Sequence, residues 1–375
     1  MLMAEQDDLV DFGEEPVDPA VTPLEKKYSE QMRQIVSQKI DLPISTLPEM
    51  IKEQINLNPD FQRRDRWDEE KQSRFIESII MNVPIPPIFL GEDQYGSYVV
   101  LDGRQRLTAI NEFLKNTFKL RSLKVWEDLN GQSFNDLQKK KLDRAITRRF
   151  VPAVVILKES SPQVKYDVFD RLNTGGVIAE PMEIRNAVFQ GRFNTVIRQL
   201  SELPAFRRLW DIPAEPAELE KNGLYRKMSD IELILRFFAL SHYDRMDMKF
   251  KDYLSDFMDA RNKEYAQDPA LEQSDRERFI RAAENCWAAF GAEVFRKDPQ
   301  SKKSAPLADA VMIALSDYPP EIVQQKAEHI RAAITDLLTN NEEFRKAFGT
   351  GTNGKGAIRK RIELAHAAVK SAIEQ

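Results

Sequence analysis

The chain has 375 residues and a mass of 43.3 kDa, which exceeds one minimal domain and suits two or three. Hydrophobic residues make up 42% and charged residues 31%, so the chain can form a sizeable core and is not wholly disordered. One cysteine excludes an internal disulfide and a cysteine zinc site, and three histidines argue against a hydrolase with a histidine-rich metal cluster. No apolar run reaches the ~20 residues that a membrane span needs.

The net charge of -5 is unevenly distributed. Residues 1–30 hold nine acidic and two basic side chains, a net of -7, so the remainder carries +2. We expect this segment to be an acidic disordered tail, and it lacks the basic start and apolar stretch of a signal peptide. The sequence therefore predicts a cytoplasmic, reducing compartment, no membrane partner, and a body that can still bind a polyanion.

The remaining residues divide into two predicted domains. Residues 31–191 alternate between strand and helix signals, whereas residues 192–375 show long amphipathic helical patterns and almost no strand signal. We therefore predict an α+β protein in which a mixed α/β domain precedes an all-α helical domain. The first domain is expected to contain helices at Leu47–Glu53, from the N-cap Asp68, from Arg104, around Asp136–Arg149 and from Ser160 or Ser161, and strands at Ile88–Leu90, Tyr98–Leu101 and from Phe150.

The segment 102–108, Asp-Gly-Arg-Gln-Arg-Leu-Thr, is the strongest candidate for a phosphate site. It joins a strand to a helix, and Gly103 permits a tight turn at the helix N-terminus, where free N–H groups favour an anion. Arg104 and Arg106 add planar forks that match phosphate oxygens, and Asp102 could hold a divalent cation or orient a water. The alternative is a surface turn whose arginines pair with nearby acids.

Two further segments could contribute to the same chemistry. Residues 170–176, which include Asn173 and Thr174 followed by Gly175, could converge backbone N–H groups on an anion, or could simply form a helix C-cap. Residues 61–67 contain three arginines, Arg63 among them, beside two aromatic residues. These arginines could bind phosphate and stack on Trp67, or the segment could be a solvated basic loop.

Residues 349–356 nearly spell a P-loop, but Gly356 replaces the magnesium-binding hydroxyl and a helical pattern precedes the segment. A polar connector is the favoured interpretation of these residues.

A basic run could contact a nucleic-acid backbone or could be merely solvated. Its members are Lys139, Lys140, Lys141, Arg144, Arg148 and Arg149, with only Asp143 against them.

Because these motifs occur in this order, the chain resembles the family called domain of unknown function 262. This family forms the N-terminal domain of GmrSD-type restriction enzymes and is a branch of the ParB/sulfiredoxin-like superfamily. The resemblance rests on Gln62-Arg63 with Trp67, residues 84–87, residues 102–107 and residues 171–176. Arg104 departs from the usual Asp-Gly-Gln-Gln-Arg, which brings residues 103–106 closer to the Gly-Glu-Arg-Arg phosphate motif of ParB.

The resemblance implies a nucleotide-binding domain, NTP hydrolysis and coupling to DNA recognition. Carried over, Asp102 and Arg106 would be catalytic, and Asp102 would support Mg²⁺ or a water. The nucleotide-binding residues would be Arg63, Gly103, Arg104, Gln105, Thr108, Asn173, Thr174 and Gly175. The His-Asn-His nuclease motif of the restriction enzymes is missing from this sequence, so cleavage by this chain alone is not expected.

The sequence thus predicts an NTP-binding and NTP-hydrolysing protein of a DNA-restriction or phage-defence system, with an unidentified base and a separate effector or nuclease protein as a partner. One alternative is a non-enzymatic adaptor for DNA or a partner, which would use Lys139, Lys140, Arg144 and Arg148. A weaker alternative is a metal-dependent nickase that uses Asp102.

Overall fold

A computed structural model describes residues 35–57, 67–94, 96–172, 180–298, 300–348 and 351–375. The acidic tail, Arg63, Asn173, Thr174 and Gly175 lie outside these residues, so the predictions for them stay predictions. In the described part of the chain, no helix combines the length and the apolar character needed to cross a membrane.

The first part of the chain forms a five-stranded mixed sheet with helices between its strands. In chain order its elements are β1 (Ser37–Pro43), α1 (Leu47–Glu53), β2 (Ile55–Asn56), α2 (Glu69–Ile80), β3 (Ile88–Gln94), β4 (Ser97–Asp102), α3 (Arg104–Leu114), α4 (Phe134–Lys139), α5 (Arg144–Thr147), β5 (Phe150–Ile156), α6 (Pro162–Leu172) and α7 (Pro181–Val188). The strand order is β1-β5-β3-β4-β2, with β5 parallel to β3, β2 parallel to β4, and the other pairs antiparallel.

The described residues after α7 form only helices. They are α8 (Arg192–Ser201), α9 (Pro204–Leu209), α10 (Pro216–Leu219), α11 (Gly223–Arg226), α12 (Ser229–Leu240), α13 (Phe250–Gln267), α14 (Pro269–Phe290), α15 (Ala305–Leu315), α16 (Pro320–Gln325), α17 (Ala327–Asn340), α18 (Glu342–Lys346) and α19 (Lys355–Glu374), with short 3-10 turns between some of them. The predicted α+β class is therefore confirmed.

The sheet separates two hydrophobic clusters. Because successive side chains of a strand point to opposite faces, Val100 of β4 joins one cluster with α2, α3 and α5, whereas Val99 and Leu101 join the other. The second cluster contains Phe169 of α6 and Met182 of α7 and continues through the later helices. The proposed domain boundary at residue 191 thus falls within one continuous core, and it stays a prediction.

Most predicted elements of the first part are present, and one is wrong. The Asp68 side chain accepts a hydrogen bond from the Lys71 N–H at 2.8 Å, as expected of an N-cap. The single basic helix expected at Asp136–Arg149 is instead two short helices, α4 and α5, separated at Lys141, whose φ is 59°. A continuous helix could not turn both Leu137 and Leu142 toward the core, because five residues rotate a helix by about 140° beyond a full turn.

Glu77 of α2 is hydrogen-bonded to the irregular segment between α3 and α4. Its carboxylate accepts hydrogen bonds from the backbone N–H groups of Lys124, Val125 and Trp126 at 2.8–3.1 Å. Burial alone would raise the pKa of Glu77, but these three donors and the charge of Arg74 lower it, and the net shift is downward.

We expect Glu77→Gln to lower the free energy of unfolding at pH 7 by about 1.5–3 kcal/mol, because charge-assisted hydrogen bonds are lost. Since the folded state lowers this pKa, the contribution is complete above about pH 4.5 and disappears as the pH falls through the lowered pKa. Urea unfolding at pH 7 and pH 3.5 checks this, with the exposed Glu70→Gln on the same helix as control. A wild-type advantage that persists unchanged at pH 3.5 would contradict the assignment.

Candidate functional site

The turn between β4 and α3 has a backbone that only glycine fits well. Gly103 has φ 94° and ψ 10°, in the left-handed region, directly before Arg104 begins α3. A Cβ at this position would lie 2.3 Å from Ile88 Cγ2 and 3.2 Å from Arg106 Nη2. The backbone at Gly103 therefore passes close to β3. Because glycine has no side chain, residue 103 does not cover the first turn of α3.

The N-terminus of α3 has the features of an anion site. Among the described residues, no side chain caps it, and its first turn contains no acidic residue. Arg104 and Arg106 stand there instead, although positive charges are unfavourable at the positive end of a helix dipole. Unpaired N–H groups together with arginines at one helix end are stabilised when an anion binds.

Arg106 is already engaged by the protein. Its guanidinium contacts Asp102 Oδ2 at 2.5 Å and also donates to the carbonyls of Pro86 and Pro87. Only 13% of the Arg106 side chain is exposed, against 45% of the Asp102 side chain. Arg106 thus connects the turn to the Pro86 and Pro87 carbonyls.

Other predicted residues lie around this turn. The Gln105 Oε1 atom accepts a hydrogen bond from the Trp67 N–H at 3.1 Å, and Trp67 packs edge-on against Phe75 of α2. Gln105 therefore positions the first residue described after the segment that contains Arg63. Thr108 is half-buried one helical turn after Arg104, so both lie on the same side of α3.

Helices α6 and α7, which flank residues 173–179, both pack against the strand that ends at Asp102. Phe169 and Met182 share a hydrophobic cluster with Val99 and Leu101 of β4. The predicted participation of Asn173, Thr174 and Gly175 is compatible with this placement of the flanking helices, and it stays a prediction.

No assembled metal site accompanies Asp102. Among the residues that the structure describes, no three His, Cys, Asp or Glu side chains lie together in a way that could hold a metal ion. In nucleotide sites, Mg²⁺ commonly binds through one or two carboxylates together with substrate phosphates.

The near-P-loop segment behaves as a connector. The last element before it is the helix α18, and Lys355, the position of the P-loop lysine, begins α19 and donates to the Asp244 carbonyl at 3.1 Å. A P-loop follows a strand, so the predicted interpretation as a polar connector is favoured.

The basic run forms an exposed surface on α4, α5 and the residues that link them. Lys139 pairs with Asp136 at 3.4 Å, whereas no described carboxylate forms an ion pair with Lys140, Arg144 or Arg148. Unneutralised cations on short helices are suited to contacts with a phosphate backbone.

Two contacts near the candidate site were not predicted. Residues 84–87 had no role assigned from the sequence. In the structure, the Pro86 and Pro87 carbonyls accept hydrogen bonds from the Arg106 guanidinium. Arg185 of α7, which is 1% exposed and pairs with Glu232 of α12, also had no role assigned. A charged residue within an apolar helical pattern was the available signal.

Comparison with known proteins identifies the segment that carries this turn. Residues 44–190 match the family model described as GmrSD restriction endonuclease, N-terminal domain. The predicted resemblance is confirmed for these residues, which include Asp102–Thr108 and the whole of α2, α3, α6 and α7. No curated protein and no solved structure matches the chain. The presence of this domain indicates a protein of restriction or phage-defence type.

Proposed function

We propose that the chain binds a nucleoside triphosphate at the N-terminus of α3 and hydrolyses it as part of a DNA-restriction or phage-defence system. The observation that carries this proposal is the uncapped start of α3, where Gly103 leaves the backbone open and two arginines replace the usual acids. The match of residues 44–190 to a restriction-endonuclease domain supports the part of the proposal that concerns a restriction or phage-defence system.

Each residue of the turn has a distinct part in this proposal. Arg104 and the first N–H groups of α3 bind phosphate oxygens, while Arg106 holds Asp102 and the turn in place. Asp102 would offer a carboxylate oxygen to a Mg²⁺ ion, which would supply positive charge beside the phosphates. Positive charge near the transferred phosphoryl group stabilises the charge that develops in the transition state.

We expect Arg104→Ala to weaken nucleotide binding at least about tenfold, because a charge-assisted hydrogen bond contributes about 1.5–3 kcal/mol. The measurement is calorimetric affinity and phosphate release from each of four NTPs with Mg²⁺, with and without DNA. Arg359→Ala is the matched control, because Arg359 is an exposed arginine on α19. Affinity and turnover that are equal in the wild type and Arg104→Ala would rule out the site.

The second candidate function is a DNA- or partner-binding adaptor without catalysis, and the exposed surface of Lys140, Arg144 and Arg148 favours it. We expect Lys140→Glu with Arg144→Glu to lower the slope of log affinity against log salt by about 2, since each phosphate contact contributes roughly 0.9. Fluorescence anisotropy with duplex DNA measures the slope, and Lys346→Glu with Lys370→Glu is the charge-matched control. Absence of DNA binding at low salt would remove this candidate.

A metal-dependent nickase that uses Asp102 is a weaker alternative function. We also propose a separate effector or nuclease protein as a partner and a cytoplasmic location. Plasmid relaxation with Mg²⁺ or Mn²⁺, compared between the wild type and Asp102→Asn, tests the nickase.

A further inference from the structure

Five charged side chains of alternating sign connect the helix beside the candidate site to the last helix of the chain. Arg185 Nη1 lies 3.0 Å from Glu232 Oε2, which connects α7 to α12. One helical turn further along α12 lies Arg236, which makes two hydrogen bonds to Asp309 of α15, at 2.6 and 3.1 Å. Among the described residues, Glu232 and Arg236 form no ion pair with each other, and the charge of Glu232 acts on Arg236 only electrostatically. Arg361 of α19 contacts the same carboxylate at 2.8 Å. We call these five residues the charge chain.

The first residue of the charge chain fixes α7. Arg185 Nε donates to Ser255 Oγ at 3.1 Å, and its Nη2 donates to the Lys251 carbonyl at 3.0 Å, so one guanidinium joins α7 to both α12 and α13. Met182 and Ile184 of the same helix pack in the cluster that contains Val99 and Leu101 of β4. The helix that carries Arg185 thus packs against the strand that precedes the turn.

The last residue of the charge chain fixes the connector before α19. Arg361 has no exposed surface, and its Nη1 donates to the Thr352 carbonyl. Its Nε atom has no hydrogen-bond partner among the described residues. The position of this arginine therefore depends on Asp309 and on the Thr352 carbonyl.

The charge chain has more cations than carboxylates, so its members depend on one another for neutralisation. Three cations share two carboxylates, and Arg236, Asp309 and Arg361 are each less than one-tenth exposed. When one ion of a buried network moves, its partners lose neutralisation at a high cost in free energy. The links are therefore expected to form and break together.

We propose that the charge chain couples nucleotide binding at α3 to the connector 351–354 and the first turns of α19. This inference rests on the proposed function, because it takes the nucleotide as the signal. Coupling of this kind requires a structural element whose state both sites influence, and α7 with α12 is that element here.

Hydrogen–deuterium exchange of the full chain, with and without an NTP and Mg²⁺, tests the coupling. We expect the nucleotide to slow exchange in residues 352–362 of the wild type, and we expect this effect to be lost in Glu232→Gln. Glu232→Gln removes the negative charge, while the glutamine amide oxygen can still accept a hydrogen bond from the buried Arg185, whose bonds to Ser255 and to the Lys251 carbonyl are unchanged.

The control is Lys227→Gln. It removes the 3.6 Å ion pair between Lys227 and Glu180, the residue before α7, and neither residue belongs to the charge chain. This variant should keep the slowed exchange in residues 352–362.

The outcomes separate the two proposals. If Glu232→Gln binds the nucleotide and loses the distant protection, the coupling is supported. If the wild type binds the nucleotide without any change in residues 352–362, or if Glu232→Gln retains the change, the coupling is overturned and the proposed function stands. If the wild type binds no nucleotide, the proposed function fails, and the coupling fails with it.

Discussion

Replacement of Gly103 by alanine is expected to lower the free energy of unfolding by about 2–5 kcal/mol. The left-handed backbone accounts for roughly 1–2 kcal/mol of this loss. The remainder comes from the new Cβ, which would lie 2.3 Å from Cγ2 of the fully buried Ile88 and force overpacking of about 1–3 kcal/mol. Urea denaturation with an unchanged m-value measures the loss.

Gly96 provides the control for this prediction. Its φ is also positive, at 75°, but a Cβ there would meet no atom within 4 Å. Gly96→Ala should therefore show only the backbone part of the loss. Equal losses in the two variants would mean that the close approach of Gly103 to β3 has no energetic weight.

Replacement of Asp309 by alanine is expected to cost about 3–5 kcal/mol of stability. It would leave Arg236 and Arg361 without their shared carboxylate while both remain buried. Burial lowers the pKa of Arg361, and the charge of the neighbouring Asp309 opposes this shift. Thermal and urea unfolding are the measurements.

Asp317 is the control for Asp309. It pairs with His366 at 3.2 Å, but half of its side chain is exposed, so Asp317→Ala should cost less than about 1 kcal/mol. A loss at Asp309 as small as that at Asp317 would show that the two arginines reach water or another acceptor when the carboxylate is removed.

The sequence predicted the parts of the fold that local patterns determine. The short run of β-branched and apolar residues at Tyr98–Leu101 located β4 to within a residue at each end, and Asp68 marked the start of α2 because N-capping is a local interaction. The split between α4 and α5 could not be predicted in the same way. It depends on where Leu137 and Leu142 pack against the core, and the run of lysines and arginines has no pattern of its own that interrupts a helix.

The candidate site was predicted in position but not in its contacts. The strand–glycine–helix order located the turn at residues 102–104, and the structure has that turn. The engagement of Arg106 with Asp102 and with two proline carbonyls depends on the approach of a segment about 20 residues away, which spacing alone does not reveal. From the sequence, both Arg104 and Arg106 were expected to face phosphate oxygens, whereas in the structure Arg106 is bound to Asp102 and to two proline carbonyls.

The division of β4 between two hydrophobic clusters has a consequence for the evolution of this protein. Val99 and Leu101 pack with α6 and α7, and α7 in turn packs against α12, which lies beyond residue 190, where the match to the restriction-endonuclease domain ends. The matched segment thus shares its hydrophobic cluster with helices outside it. A sequence that follows this segment in another protein has to supply an apolar surface that α7 can pack against.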